Sequence, residues 1–129
     1  MLAVVDQTRP FIAVLDDEPK FCTALARLLK SHDFEVVTFT RGEEFLAACA
    51  SRQPDCLLLD LHMPDLSGFE VLERIAPRHL PTLVVTGSDQ PGNAQRVRAL
   101  GALGYLLKPV HKVELLAAIR AALQHEPHP

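Results

Sequence analysis

Four apolar runs in this chain end in groups that can do chemistry. Phe11-Ile12-Ala13-Val14-Leu15 runs into Asp16-Asp17, Cys56-Leu57-Leu58-Leu59 into Asp60, Thr82-Leu83-Val84-Val85 into Thr86, and Leu103-Gly104-Tyr105-Leu106-Leu107 into Lys108. If the runs lie parallel in one sheet, three carboxylates, a hydroxyl and an ammonium emerge at the same edge. Carboxylates brought that close repel one another, and a divalent cation relieves the repulsion. Oxygen donors without a partnering His or Cys point to Mg²⁺ or Mn²⁺ rather than zinc. A metal, an ammonium and a hydroxyl around one carboxylate form a clamp for phosphoryl oxygens, with Asp60 as the in-line nucleophile giving an acyl phosphate. Taken singly, most of these groups have plainer readings. Asp16-Asp17 ahead of Pro19 suits a helix N-terminus, Thr86-Gly87 suits a turn, and Lys108-Pro109 suits a lysine whose stem lies along apolar surface. Asp60 has no such account, because a lone carboxylate ending a buried strand must find a partner.

The elements that would position these groups are legible in the pattern. Short apolar runs bounded by turn formers suit strands buried on both faces, since a strand open to water on one side would alternate. Glu35-Val36-Val37-Thr38-Phe39 adds a strand of β-branched and aromatic character. Between the strands lie segments of helical period. Pro19 takes a first-turn position ahead of Phe21, Leu25, Leu28 and Leu29. Thr40-Arg41-Gly42-Glu43 has capping-box spacing ahead of Phe45, Leu46 and Cys49, and Ser67-Gly68-Phe69-Glu70 repeats it ahead of Val71, Leu72 and Ile75. A weaker stripe of Ala94, Val97 and Leu100 ends at Gly101 as C-terminal cap, and Leu115, Leu116, Ile119, Ala122 and Leu123 mark a last helix. Five strand-then-helix units predict an α/β, doubly wound (βα)5 domain with a five-stranded parallel sheet. The flavodoxin-like strand order 2-1-3-4-5 puts the topological switch point between the first and third strands, which end in Asp16-Asp17 and Asp60.

Composition narrows the function classes. The 129 residues fit one domain, and 48% apolar with 22% charged residues is ordinary for a globular chain. A net charge of −3 supplies no basic footprint for direct nucleic-acid binding. No stretch approaches the roughly 20 apolar residues of a membrane span, and no basic segment precedes an apolar one as in a signal peptide. Together these predict a cytoplasmic protein with no membrane insertion. Cys22, Cys49 and Cys56 lack metal-site spacing and lie in apolar segments, so they are expected to be buried, reduced thiols.

The joint pattern of Leu15-Asp16-Asp17-Glu18-Pro19, Leu58-Leu59-Asp60-Leu61-His62-Met63-Pro64-Asp65-Leu66-Ser67-Gly68, Val84-Val85-Thr86-Gly87 and Tyr105-Leu106-Leu107-Lys108-Pro109 resembles the receiver domain of two-component response regulators. The resemblance runs from about residue 11 to residue 124, with residues 1–10 a loose lead-in and 125–129 a flexible tail or the start of a linker. It implies that Asp60 takes a phosphoryl group from a phosphohistidine on a sensor histidine kinase or histidine phosphotransfer protein. It implies also that Asp16 or Asp17 and Asp60 hold Mg²⁺ with the backbone carbonyl of His62, and that Lys108 and Thr86 contact the phosphoryl oxygens. Movement of Thr86 would let Tyr105 turn inward, and the face of the fourth helix, fifth strand and fifth helix would bind an output protein, a fused effector domain or a second copy. Arg96 and Arg98 lie on that face.

Three details depart from the family pattern. The stretch Ala76–Pro81 shortens the link from helix to strand, Gly104 replaces an acidic or polar residue and predicts a looser switch strand, and His62 is expected in solvent beside the acceptor. His111 stands where a stronger N-cap belongs. Two rival readings remain at this point: a phosphorylation-independent interaction module of the same fold, and a phosphatase with an aspartyl nucleophile. The phosphatase requires a second Asp two residues after the first, where this chain has His62.

Overall fold

The computed structural model describes residues 9–125. The lead-in and tail expected at the two ends fall largely outside the described residues. Strands β1 (Phe11–Leu15), β2 (Glu35–Phe39), β3 (Cys56–Leu59), β4 (Thr82–Thr86) and β5 (Gly104–Leu107) alternate with helices α1 (Pro19–Ser31), α2 (Gly42–Ser51), α3 (Gly68–Ile75), α4 (Asn93–Ala99) and α5 (Lys112–Leu123). All neighbouring strands pair in parallel in the order β2-β1-β3-β4-β5, as predicted.

β3 is the centre of the sheet, and each residue of Cys56–Leu59 is buried. Its side chains alternate between two cores. Leu57 and Leu59 join Ala13, Leu15 and Val84 beneath α2, α3 and α4, while Cys56 and Leu58 join Ile12, Val14 and Val85 beneath α1 and α5. Helices on both faces explain why the strand shows no polar alternation. The three cysteines are free and buried, and burial pushes the Cys56 thiol up to about 12.

The helix boundaries follow local chemistry, with one correction. Pro19 sits in the first turn of α1. Ser67 Oγ accepts from the Glu70 N–H while Glu70 returns a bond to the Ser67 N–H, completing the expected capping box. Gly101, at φ 106°, closes α4 with bonds from its own N–H to Arg98 O and from Ala102 N–H to Val97 O, a Schellman arrangement. The capping box expected at Thr40 does not form. The N-cap of α2 is Arg41, and its side chain caps nothing. Instead the Asp65 carboxylate reaches in from the β3–α3 loop and accepts from Gly42 N–H and Glu43 N–H, each at 2.9 Å. The cap is supplied across space, and those two backbone bonds hold the Asp65 carboxyl below the usual range.

Gly104 sits in close packing against the neighbouring strand. It pairs in register with Leu83, and a Cβ there would stand 2.9 Å from Leu83 Cδ2. The shortened link after α3 is a single 3-10 turn, Ala76–Arg78, closed by His79 at φ 54°. Among α4 side chains only Val97 is buried, with Leu100 just beyond it partly buried against the same core, in keeping with the weak stripe expected. Asp65→Ala is expected to lower stability by about 1 kcal/mol through loss of the α2 cap. Thr40→Ala should change it by less than about 0.5 kcal/mol, and chemical denaturation of both variants checks the pair.

Candidate functional site

The parallel register delivers the charged groups to one edge. β1 and β3 run side by side with Leu15 opposite Leu59, so the next residues, Asp16 and Asp60, leave the sheet together. Their backbones are joined, the Asp60 N–H donating to Leu15 O at 2.9 Å. One oxygen from each of Asp16, Asp17 and Asp60 lies within 4.8 Å of the others. Asp16 and Asp60 are buried and Asp17 is exposed, so the cluster has a dry floor and a wet rim. Three close carboxylates form an all-oxygen donor set of the kind a hard divalent cation takes.

Asp60 itself is 5% exposed. Its Oδ1 accepts from the Leu61 N–H at 2.9 Å. Its Oδ2 has no hydrogen bond among the described residues, and no fully buried side-chain oxygen there lacks a partner, so Oδ2 is the atom open to solvent. Burial raises the Asp60 pKa above the usual carboxylate range, and the negative charge of Asp16 adds to this against the opposing pull of Lys108 and the Leu61 N–H.

Gly68 lets α3 come close behind Asp60. Its N–H donates to Leu61 O at 2.9 Å, and a Cβ on it would meet Asp60 O at 2.6 Å and Leu61 Cα at 2.8 Å. Any larger residue would push the helix away from the Asp60 and Leu61 backbone.

Lys108 arrives from the end of β5, its backbone N–H bonded to Thr86 O at 2.9 Å. Its ammonium does not bond Asp60. It donates to Asp16 Oδ2 at 2.7 Å and to Glu18 Oε1 at 3.3 Å, and it stands 4.1 Å from the centre of the Phe21 ring. Burial would lower the Lys108 pKa, but the Asp16 hydrogen bond and the charges of Asp16 and Asp60 outweigh it and hold the ammonium above the usual lysine range.

Thr86 is fully buried at the end of β4, and its Oγ1 accepts from the Ser88 N–H at 3.3 Å. Tyr105 is half-buried, and its hydroxyl donates to Asp89 Oδ1 at 2.9 Å. His62 is exposed, as expected. Arg96 is exposed and its guanidinium lies over the Phe69 ring of α3 at 3.8 Å.

The structure thus brings together Asp16, Asp17, Asp60 and Lys108 as the spacing suggested. It adds Glu18, Phe21 and Asp65, which sequence reasoning assigned no site role. Phe21 reads as a core residue by helical period, and only the fold reveals the ammonium above it. Asp65 was discoverable only by noticing that α2 lacks a strong cap of its own.

Comparison with known proteins agrees with this geometry. The family model described as the response regulator receiver domain matches residues 12–120. The chain is 35% identical over 119 residues to the DNA-binding transcriptional regulator NtrC of Salmonella typhimurium, covering 91% of this chain and 25% of that protein. It is 35% identical over 119 residues to the phosphate regulon transcriptional regulatory protein PhoB of Rhizobium meliloti, covering 89% and 52%. The chain therefore spans between a quarter and about half the length of these relatives. Among solved structures, a CheY-like receiver domain protein from Methanospirillum hungatei superposes with a TM-score of 0.85 at 26% identity, covering 90% of this chain and 94% of that one. The BeF3-activated N-terminal receiver domain of RstA from Klebsiella pneumoniae does so with 0.84 at 29%, covering 89% and 99%. With its strand order, its acidic cluster and its cross-edge lysine in place, this chain belongs to the receiver-domain family of response regulators.

Proposed function

We propose that this chain is a phosphoacceptor receiver that takes a phosphoryl group from a phosphohistidine donor onto Asp60 and thereby alters its output surface. The convergence of the Asp16, Asp17 and Asp60 oxygens within 4.8 Å, with Lys108 on Asp16, carries the reading. Asp60 is the acceptor because its Oδ2 is solvent-facing while Oδ1 is anchored by the Leu61 N–H. An anchored Oδ1 fixes the plane of the carboxylate, which orients Oδ2 for in-line attack. The Asp60 oxygen forms a bond to phosphorus as the phosphorus–nitrogen bond of the donor breaks, and the leaving imidazole keeps a proton. Lys108 neutralises charge on the equatorial oxygens, and the Thr86 hydroxyl donates to one of them.

Asp16, Asp17 and Asp60, with the His62 backbone carbonyl, would hold Mg²⁺ or Mn²⁺, which supplies charge neutralisation at the transferring group. The donor would be a sensor histidine kinase or histidine phosphotransfer protein. Output would pass through the face of α4, β5 and α5 to a partner protein, a fused effector domain or a second copy. Two apolar side chains, Leu107 at 44% and Val113 at 76% exposure, stand exposed in β5 and α5. No helix among the described residues is long and apolar enough to cross a membrane. The phosphatase reading loses support because the place of its second Asp is held by an exposed His62.

Incubated with Mg²⁺ and a small acyl-phosphate donor, the wild-type protein should gain one acid-stable, base-labile phosphoryl group, read by intact mass. Asp60→Asn should gain none, and modification of that variant would disprove the assignment. His62 stands in solvent two residues past the acceptor, positioned to admit or obstruct water. His62→Ala should therefore change the phosphoryl half-life severalfold, and an unchanged half-life would remove His62 from the mechanism.

The electrostatics give an independent check. Because the folded Asp60 pKa is raised, the native state holds that proton more tightly than the unfolded chain does. Wild-type stability therefore falls as pH rises from the ordinary value of 3.8 through the folded value. Asp60→Asn removes this cost while keeping an oxygen for the Leu61 N–H. Its Tm at neutral pH should therefore exceed that of wild type, as thermal denaturation of the two proteins checks. The excess should shrink on acidification. Saturating Mg²⁺ should raise the wild-type Tm more than that of the variant.

A further inference from the structure

Lys108 is held by more groups than a phosphoryl clamp requires, and all of them come from the short segment Asp16–Phe21. An ammonium has three N–H donors and no acceptor. Two donors are committed to Asp16 and Glu18, and the Phe21 ring covers a further side of the group at 4.1 Å. A phosphoryl oxygen arriving on Asp60 finds one donor uncommitted and competes with the present partners for the position of the ammonium.

Those partners do not compete equally. The Asp16 side chain is 2% exposed and 2.7 Å from the ammonium, whereas the Glu18 side chain is 66% exposed and 3.3 Å away. Solvent screens the second pair far more than the first. Glu18 is the contact that yields. Its side chain also carries no local structural duty: Glu18 is the N-cap of α1, yet its side chain makes no capping bond. The turn is held by its backbone N–H, which donates to Asp16 Oδ1 at 2.9 Å.

We infer that Glu18 is a positioning residue that draws Lys108 toward the β1–α1 turn and away from Asp60, and so sets how tightly a phosphoryl-like group is held on the acceptor. The inference rests on the receiver reading of the site. Glu18 touches no reacting atom and acts through Lys108, while the Phe21 ring supports the withdrawn position through its negative face. Removing the Glu18 charge has two effects of opposite sign. It releases Lys108 for phosphoryl oxygens, and it takes a negative charge away from the neighbourhood of the acidic cluster, which weakens the attraction for a divalent cation. A structural defect alone would weaken both kinds of binding.

The test uses wild type and Glu18→Gln, with Glu44→Gln as a charge-matched control in the first turn of α2. Each protein is titrated with Mg²⁺ alone and then, at saturating Mg²⁺, with beryllium fluoride, followed by fluorine NMR and backbone amide shifts. Glu18→Gln should bind beryllium fluoride about two- to fivefold more tightly than wild type, the range expected of one exposed ion pair, with Mg²⁺ affinity equal or lower. Glu44→Gln should match wild type in beryllium fluoride binding. Binding no tighter in Glu18→Gln, or equally tightened in Glu44→Gln, overturns the role of Glu18 while leaving the acceptor reading intact. A wild-type protein that takes up no beryllium fluoride with Mg²⁺ overturns the acceptor reading and the role of Glu18 together.

Discussion

Mutual repulsion among Asp16, Asp17 and Asp60 is the constraint on which the rest of the structure depends. For Asp60, burial raises the cost of ionisation and the neighbouring Asp16 charge adds to it. The fold tolerates the arrangement because β1 and β3 are fixed side by side by backbone pairing and by two apolar cores, which leave the two buried carboxylates nowhere else to go. Lys108 relieves part of the strain from the far side of β4, but it does so at Asp16. Asp60 is left with a single backbone donor and an open oxygen, a group whose environment improves when positive charge arrives. The stability lost at the cluster and its demand for positive charge have the same physical origin.

The loop after Asp60 is held by contacts that work in both directions. Gly68 lets the first turn of α3 press against the Asp60 and Leu61 backbone, and Asp65 extends to the N-terminus of α2. The carboxylate placed there is also favoured by the helix macrodipole. One short loop thus borders Asp60 and ties two helices to it. A change at Asp60 that shifts this loop is felt at α2 and α3 through bonds rather than through loose packing.

What could be read from the sequence was whatever depends on period and on strand ends. The β3 run Cys56–Leu59, the strand order and the gathering of Asp16, Asp17, Asp60, Thr86 and Lys108 at one edge all follow from apolar runs and the handedness of parallel crossovers. The Ser67 cap was legible because its partner lies three residues away. The Thr40 cap was misread for the complementary reason. Its true replacement, Asp65, is more than twenty residues distant, and no local pattern encodes a bond across that separation. The same holds for Lys108: its charge was evident, but its choice of Asp16 and Glu18 over Asp60 depends on side-chain reach across two strands.

The far side of the site shows how a change at the acceptor can travel. Thr86 joins the two halves, since its carbonyl fixes the Lys108 backbone and its hydroxyl receives the Ser88 N–H at the start of the β4–α4 loop. That loop ends in α4, a seven-residue helix with one buried side chain, Val97. An element with so little buried apolar surface opens at low cost. Besides the Gln90 and Asn93 side-chain bonds to Ser88, two contacts tie this region to the rest of the domain: the Tyr105 hydroxyl on Asp89 and the Arg96 guanidinium over Phe69. Both are partly open to solvent and individually weak. A Thr86 hydroxyl drawn toward Asp60 would give up Ser88 and thereby loosen the loop that carries Asp89. Tyr105 would then lose its hydroxyl partner, and the ring would be free to follow the space that Thr86 leaves. The sequence of events requires no long-range wire, only one buried hydroxyl with two alternative partners and a helix too thinly packed to resist it.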